Sequence, residues 1–243
     1  MKIGLLGYGK MGRAVEEQAL LRGHEMVWRI GQSQRAGLSA EQLQKAEVVV
    51  EFSRPEAAYD NVMACLQAGV PVVSGTTGWS EQLPEAERYC HQCEGAMLWA
   101  SNFSIGVNLF FALNRYLTRL LDARPEYRPT IEETHHVHKL DAPSGTARTL
   151  AEDLLAVSTR LERWELACGK PVSPEVLPVV AIRRGEVPGT HVVCWDSQAD
   201  SLEIRHTAHN RTGFALGAVL AAEWLLGRKG VFRMSDVLNL PEL

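Results

Sequence analysis

Several things are scarce in this sequence, and each scarcity closes off a class of protein. No stretch approaches the roughly 20 consecutive apolar residues of a bilayer-spanning helix. The first residues, Met1-Lys2-Ile3-Gly4-Leu5-Leu6, form an apolar run too short for a secretory signal and broken by glycine. Cysteine is sparse and odd in number: Cys65, Cys90, Cys93, Cys168 and Cys194 are scattered over 243 residues. That pattern argues for reduced thiols in a cytoplasmic protein and against a disulfide framework. Positive charge is not in excess either. The 25 Lys and Arg against 29 Asp and Glu leave a formal net charge of −4, which disfavours nucleic acid or an anionic membrane as partner. There is no internal repeat and no low-complexity tract.

What is present is an ordinary globular composition, 46% hydrophobic and 22% charged, in a chain long enough for one large or two modest domains. The first hundred residues alternate short apolar runs with helical patterns. Strands are predicted at 2–6, 25–30, 47–52, 71–74 and 96–100. Helices are predicted at 11–21, at 80–93, and from a Ser53-Arg54-Pro55-Glu56 capping box to Gly69, with Gly23 as a helix-ending glycine. This alternation implies a parallel sheet with right-handed crossovers. After Val107 the texture changes. Helix is predicted at 108–121 and about 146–157, and strand at 130–134, 179–183, 190–195 and 201–206. The last three strands follow one another without a helix, which implies a mixed or antiparallel sheet. The polar, proline-bearing stretch 160–178 reads as a surface segment, and 212–226 as a helix that packs back on the first domain. The expected class is therefore α/β. A Rossmann-like domain is built from residues 1–103 and 212–243, and a smaller α+β domain with a mixed sheet from 104–211.

Gly7-Tyr8-Gly9-Lys10-Met11-Gly12 matches G-x-G-x-x-G, after a predicted strand and at the start of a predicted helix. In that context the first glycine permits the tight turn, the second lets a pyrophosphate approach the backbone, and the third lets helix pack on strand. The amides at the helix start then face the anion. The alternative is a plain strand–helix turn. No carboxylate follows the second strand to read a ribose 2′-hydroxyl; Arg29 and Arg35 are candidates for a 2′-phosphate, or simply solvated. The cofactor reading is therefore NADH or NADPH, leaning towards the latter. Gly75-Thr76-Thr77-Gly78 and Ala100-Ser101-Asn102-Phe103 sit at the C-terminal ends of predicted strands, where open α/β sheets bind ligands, although either could be only a turn.

The densest chemistry lies in Glu133-Thr134-His135-His136-Val137-His138-Lys139, followed by Leu140-Asp141-Ala142-Pro143-Ser144-Gly145-Thr146-Ala147. Three histidines and a lysine within five positions are hard to explain by packing. Ser144-Gly145-Thr146 opens a helical pattern, so its amides should form an anion site. Three readings compete: an acid/base and carboxylate-binding site, a metal site on His135, His136 and His138, and a solvated loop. Against a metal, no Cys, Asp or Glu stands at a familiar ligand spacing, and Lys139 would repel a cation. Cys90-His91-Gln92-Cys93 could be redox-active or bind zinc, but it lies in a predicted helix with no second cysteine pair, and reads as incidental.

The stretch from Glu133 to Ala147 resembles the signature of the dihydrodipicolinate reductase family. Glu51-Phe52-Ser53-Arg54-Pro55, Gly75 to Gly78, Ala100 to Asn108 and Arg183-Arg184-Gly185-Glu186-Val187-Pro188-Gly189 follow in the family's order, so the resemblance covers nearly the whole chain. It implies a two-domain, homotetrameric, NAD(P)H-dependent reductase of the diaminopimelate route to lysine. The implied substrate is the cyclic dicarboxylate 4-hydroxy-2,3,4,5-tetrahydrodipicolinate, reduced to tetrahydrodipicolinate with loss of water. It further implies His135 as proton donor and acceptor, Lys139 as a second proton donor, and His136, Ser144, Gly145 and Thr146 around the substrate carboxylates. Gly7 to Gly12, Gly75 to Thr77 and Ala100 to Phe103 fall where the family binds the nucleotide, and no metal is implied. The chain departs from the family in a glycine turn one residue shorter than in many members, and in lacking the acidic residue after the second strand. Two other functions compete: an amino-acid-pathway dehydrogenase acting on a linear keto or semialdehyde substrate, and a regulator that senses NAD(P)H without turnover. Neither needs the histidine–lysine–Ser-Gly-Thr segment.

Overall fold

Short apolar runs alternating with helical patterns govern the first hundred residues, and the computed structural model, which describes residues 1–31, 38–167, 172–210 and 212–241, realises the runs as a sheet. In chain order the elements are β1 (Lys2–Leu6), α1 (Lys10–Leu21), β2 (Glu25–Ile30), α2 (Ala40–Leu43), β3 (Val48–Glu51), α3 (Pro55–Gln67), β4 (Val72–Ser74), α4 (Leu83–Gln92), β5 (Ala96–Trp99), α5 (Ile105–Leu121), β6 (Arg128–His135), α6 (Gly145–Val157), β7 (Arg163–Leu166), β8 (Val176–Arg183), β9 (Thr190–Asp196), β10 (Ser201–Thr207), α7 (Thr212–Leu225), β11 (Gly230–Phe232) and α8 (Met234–Val237). They form two units, one from Met1–Ile105 with Arg211–Leu240, the other chiefly from Gly106–Asn210.

The first unit holds a six-stranded sheet in the order β11-β5-β4-β3-β1-β2, with every neighbouring pair parallel. Successive side chains of a strand point to opposite faces, and the burial follows that period. Ile3, Leu5, Val48 and Val50 pack with Val15 and Ala19 of α1 and Ala215, Ala218 and Val219 of α7. Leu6 and Val49 face the other way, into Val62 and Leu66 of α3 and Ala86 and Cys90 of α4. Truncating a side chain as enclosed as Leu5 to alanine would cost about 2–5 kcal/mol.

The second unit holds a five-stranded mixed sheet, β10-β9-β6-β8-β7. Here β6, β8 and β7 run parallel, and β9 is antiparallel to β6 and β10. Phe110 and Leu121 of α5 and Leu150 and Leu154 of α6 cover one face, against Ile131, Leu177, Val179, Val193 and Trp195. Strand register decides which polar groups meet on that face. Glu133 lies opposite His191, His191 opposite His206, and His135 opposite Arg183. With a side-chain period of two, all of these share the helix-covered face with Ile131.

Four sequence expectations need correction. The Ser53–Glu56 capping box does not form: α3 starts at Pro55 after an Arg54 N-cap with no side-chain cap bond, and ends at Gln67. Ser53 is diverted, its hydroxyl donating to the Glu51 carboxylate. The stretch 160–178 is not merely surface loop, for it contains β7 and the first residues of β8. Proline read as a break sits inside β8 as Pro178, and β7 is a four-residue edge strand with a single apolar anchor, Trp164, in the core. The helix expected over 80–93 is confined to Leu83–Gln92. Finally α2, β11 and α8, three or four residues each, were not expected at all.

Candidate active site

In the first unit the glycine turn joins β1 to α1. Gly7 has φ +95°, and a Cβ there would lie 2.0 Å from the Phe52 carbonyl oxygen. A Cβ on Gly12 would lie 2.2 Å from the Gly7 carbonyl oxygen. Both positions therefore exclude a side chain. Gly9 is different: a Cβ there meets nothing within 4 Å, so packing within the chain does not require glycine at this position. The Gly7 amide donates to the Ile30 carbonyl at 2.9 Å, tying the turn to β2. A cavity of about 540 Å³ opens here, lined among others by Gly7, Tyr8, Gly9, Gly31, Ser53 and Arg54. Lys10 is exposed and Met11 half-buried on the helix start. A bare glycine backbone at a helix N-terminus facing a cavity fits a dinucleotide.

The neighbouring turns are braced by one carboxylate. Glu51, fully buried, accepts from the Ser53 amide at 2.9 Å, the Ser74 hydroxyl at 2.7 Å and the Thr76 hydroxyl at 2.9 Å, as well as from the Ser53 hydroxyl. It thus couples the loop after β3 to the Gly75–Gly78 turn after β4, where Thr76 is buried and Thr77 exposed. At the third turn the Ala100 and Phe103 side chains belong to the core, Ser101 is exposed, and the Asn102 side-chain oxygen Oδ1 accepts from the Ser104 amide. Arg29 is occupied by Glu16, its Nε donating at 2.5 Å. Arg35 lies outside the described residues.

In the second unit the centre is Glu133. Its side chain is fully enclosed and meets three groups: Nδ1 of His135, the Arg183 guanidinium at 3.0 Å, and the Ser144 amide, which donates at 3.3 Å. Burial pushes the Glu133 carboxyl up, but the contacts with His135 and Arg183 outweigh it and bring it below the usual carboxylate range. With Nδ1 held by a carboxylate, Nε2 of His135 is the nitrogen left to exchange a proton. Gly189 lies against that atom; a Cβ on it would come within 3.0 Å of Nε2.

Arg183 is also a clamp. Its Nε donates to the Lys139 carbonyl at 3.3 Å and its other terminal nitrogen to the Asp141 carbonyl at 2.6 Å. The loop carrying Lys139 is thereby held to the end of the sheet. The Lys139 ammonium meets both Asp141 oxygens, at 2.8 and 2.9 Å, and this contact chiefly lowers the Asp141 carboxyl. Ser144 caps α6, its hydroxyl oxygen accepting from the Ala147 amide at 3.2 Å and lying 3.1 Å from Nε2 of His191. The His191 ring packs edge-on against His135 at 5.1 Å. Burial, reinforced by the His135 charge, depresses His191 to about 3, so it is neutral at physiological pH. Gly145 is exposed and Thr146 half-buried at the helix start. His136 is half-buried; His138 is exposed, 3.5 Å from Glu186.

The competing metal reading on His135, His136 and His138 does not find its triad: among the described residues these three do not form a group whose possible ligand atoms come together. The absence of a carboxylate at ligand spacing, counted against a metal in the sequence, needs correcting: among the described residues Glu133, His135 and His191 bring possible ligand atoms within 4.8 Å of one another. The strand pairing creates this set. Glu133 is, however, already engaged by a guanidinium and an amide, and a neighbouring arginine disfavours a cation.

Profiles of known families match both units. The dihydrodipicolinate reductase N-terminus matches residues 1–103, and the dihydrodipicolinate reductase C-terminus residues 106–238. The chain belongs to the dihydrodipicolinate reductase family. The chain is 43% identical to a 4-hydroxy-tetrahydrodipicolinate reductase of Christiangramia forsetii over 240 residues, 98% of each chain. It is 38% identical to the enzyme of that name from Chromobacterium violaceum over 204 residues, 82% of this chain and 75% of that one. In fold it is similar to a dipicolinate-bound dihydrodipicolinate reductase from a Paenisporosarcina species, with a TM-score of 0.78 and 22% identity over 97% of this chain and 98% of that one. Family membership makes the chain an oxidoreductase with a nicotinamide nucleotide site.

Sequence reasoning gave no role to Glu133, Arg183, His191 or Glu51 in this reductase site. The available signal was parity. Glu133 and His191 are polar residues at positions where strand alternation calls for the buried face, and a buried polar group is a candidate for function.

Proposed function

We propose that the chain reduces 4-hydroxy-2,3,4,5-tetrahydrodipicolinate to tetrahydrodipicolinate with NADH or NADPH and loss of water, the step of the diaminopimelate route to lysine. The observation that carries the reading is the buried Glu133–His135 pair beside the N-terminus of α6. The first unit binds the nucleotide through Gly7 to Gly12, Gly75 to Thr77 and Ala100 to Phe103. The second unit binds the substrate and forms the homotetramer, for which the apolar Val180 and Ile182, on the sheet face turned away from α5 and α6, give a surface.

Bound nicotinamide supplies the hydride. The chain's residues manage the charge that results. Electron density arriving on a conjugated imine must be met by a proton. His135 gives it from Nε2, and Glu133 stabilises the imidazolium form by accepting from Nδ1. Lys139 is the second proton donor; its ammonium also faces a substrate carboxylate and releases Asp141 when it does so. The Gly145 and Thr146 backbone, with His136 and the Ser144 cap, receives the carboxylates at the positive end of α6. The protein works in the cytoplasm with reduced thiols; Cys65, Cys90, Cys93 and Cys194 are unpaired, and no described helix is long and apolar enough to cross a membrane.

The test is decay of NAD(P)H absorbance with the product of dihydrodipicolinate synthase as substrate. Turnover with that compound, and none with linear semialdehydes, is expected. Binding without turnover would make the chain a sensor. The two nucleotides should differ by no more than about tenfold in kcat/KM, which is about 1.4 kcal/mol. EDTA should leave the rate unchanged, whereas a loss restored by zinc would move Glu133, His135 and His191 to a metal role.

A further inference from the structure

Glu16 of α1 has no part in the proposed reaction, yet its side chain is heavily engaged beside the cavity. Its carboxylate accepts from Arg29 Nε at 2.5 Å, from a second Arg29 nitrogen, and from the Tyr8 hydroxyl. Only 14% of the Glu16 side chain is exposed. Tyr8 and the residues directly after Arg29, Ile30 and Gly31, line the cavity. Arg29 stands next to last in β2, close to where dinucleotide folds station the group that reads the adenosine ribose. A free arginine there suits a 2′-phosphate, which carries between one and two negative charges and takes bidentate guanidinium bonds. This arginine is not free.

We propose that Glu16 is a specificity-determining residue: by holding the Arg29 guanidinium and anchoring itself through Tyr8, it withholds that cation from a 2′-phosphate and keeps NADPH from being favoured over NADH. Glu16 and a 2′-phosphate compete for one guanidinium. A 2′-phosphate approaching Arg29 must displace a carboxylate that already fills the guanidinium fork, or sit beside it and meet like-charge repulsion. Ribose hydroxyls carry no charge, so NADH does not feel the contest. The Arg29 contact holds the Glu16 carboxyl below the ordinary range, so it is charged throughout the physiological span. The Arg13 guanidinium lies over the Tyr8 ring, 5.6 Å from its centroid.

The inference rests on the first unit being the nucleotide site, and the experiment separates the two. Dissociation constants for NADH and NADPH are measured by tryptophan fluorescence quenching on the full chain and on E16Q, R29Q and E16Q/R29Q, each checked by circular dichroism. E16Q keeps the side chain's size while removing its charge. It should tighten NADPH about tenfold relative to NADH, with NADH changed less than about twofold. R29Q, which leaves the Glu16 carboxylate alone, should weaken NADPH relative to NADH, and the double variant should return close to the parental ratio. An unchanged ratio in E16Q with both nucleotides still binding overturns the inference. So does a shift that survives in E16Q/R29Q, which would assign the cation to another residue such as Arg54 on the cavity wall. If E16Q fails to fold, R29Q decides: an NADPH/NADH ratio no different from the parent overturns the inference. Failure of the unaltered chain to bind either nucleotide would instead overturn the nucleotide site itself.

Discussion

At the scale of single residues, the site separates groups that do chemistry from groups that hold them. His135→Gln keeps a hydrogen-bonding side chain but not a comparable acid. Lys139→Met keeps the stem's approximate length and drops the charge. General acid catalysis contributes about 10²–10⁴-fold, so each change should lower kcat by at least about 10². Nucleotide dissociation constants should barely move, because the glycine turn belongs to the other unit. The double variant should lose less than the product of the single losses, since groups acting together are not additive. Near-parental kcat in both single variants, folded by circular dichroism, would end the assignment. His138→Gln should be mild, its ring being 74% exposed. His135 and Lys139 were legible because they stand in one short polar run. Their partners were not: Arg183 and His191 lie far along the chain and reach Glu133 only through strand register, which no local pattern encodes.

At the scale of elements, the β1–α1 turn offers a contrast between two glycines of one motif. Gly9→Val adds a branched side chain where the chain itself leaves open space. The fold should survive with its melting temperature nearly unchanged, while NAD(P)H binding by calorimetry falls by an order of magnitude or more. Gly7→Ala forces a Cβ onto the Phe52 carbonyl in a left-handed backbone. It should destabilise the unit by about 1–3 kcal/mol whether or not nucleotide is present. Equal behaviour of the two variants would mean the turn is structural throughout. The elements the sequence hid share a physical cause. The capping-box pattern was overruled because Glu51, at the end of β3, captures the Ser53 hydroxyl before α3 can use it. The edge strand β7 is too short for periodicity to declare itself, since Trp164 is its only side chain in the core. Long strands and helices with full periods, such as β3 with its valines or α7 with its alanines, were legible because burial and propensity agree in them.

At the scale of the whole molecule, the buried histidines couple the site to stability. His191 is depressed to about 3, first by burial and then by the charges of His135, His206 and Lys139, with Glu133 opposing. His206, its neighbour across β9 and β10, is lowered by burial and by His209. A histidine lowered on folding binds its proton more readily in the unfolded chain, whose value is near 6.5. Stability is therefore full above about 6.5 and declines as the pH falls towards the folded value. Glu133 is lowered in the folded protein, so its contribution is present above about 4.5 and is lost only below that. The two classes act in different windows. Between pH 6.5 and 4.5 the histidines dominate, each by at most about 1.4 kcal/mol per pH unit. His191→Asn, which keeps a polar group near Ser144, should flatten the loss of stability from about pH 6.5 down towards pH 3, while leaving in place the part that Glu133 loses below about pH 4.5. Denaturant unfolding at a fixed protein concentration, run from pH 7 to pH 4, reads the slope, and the His191 ring proton resonances read the ionisation directly. A ring that titrates near 6.5, or a variant with the parental slope, would mean that Glu133 shares its charge with His191 as well as His135. The row of histidines across β6, β9 and β10 would then have to be reread as a cationic binding surface.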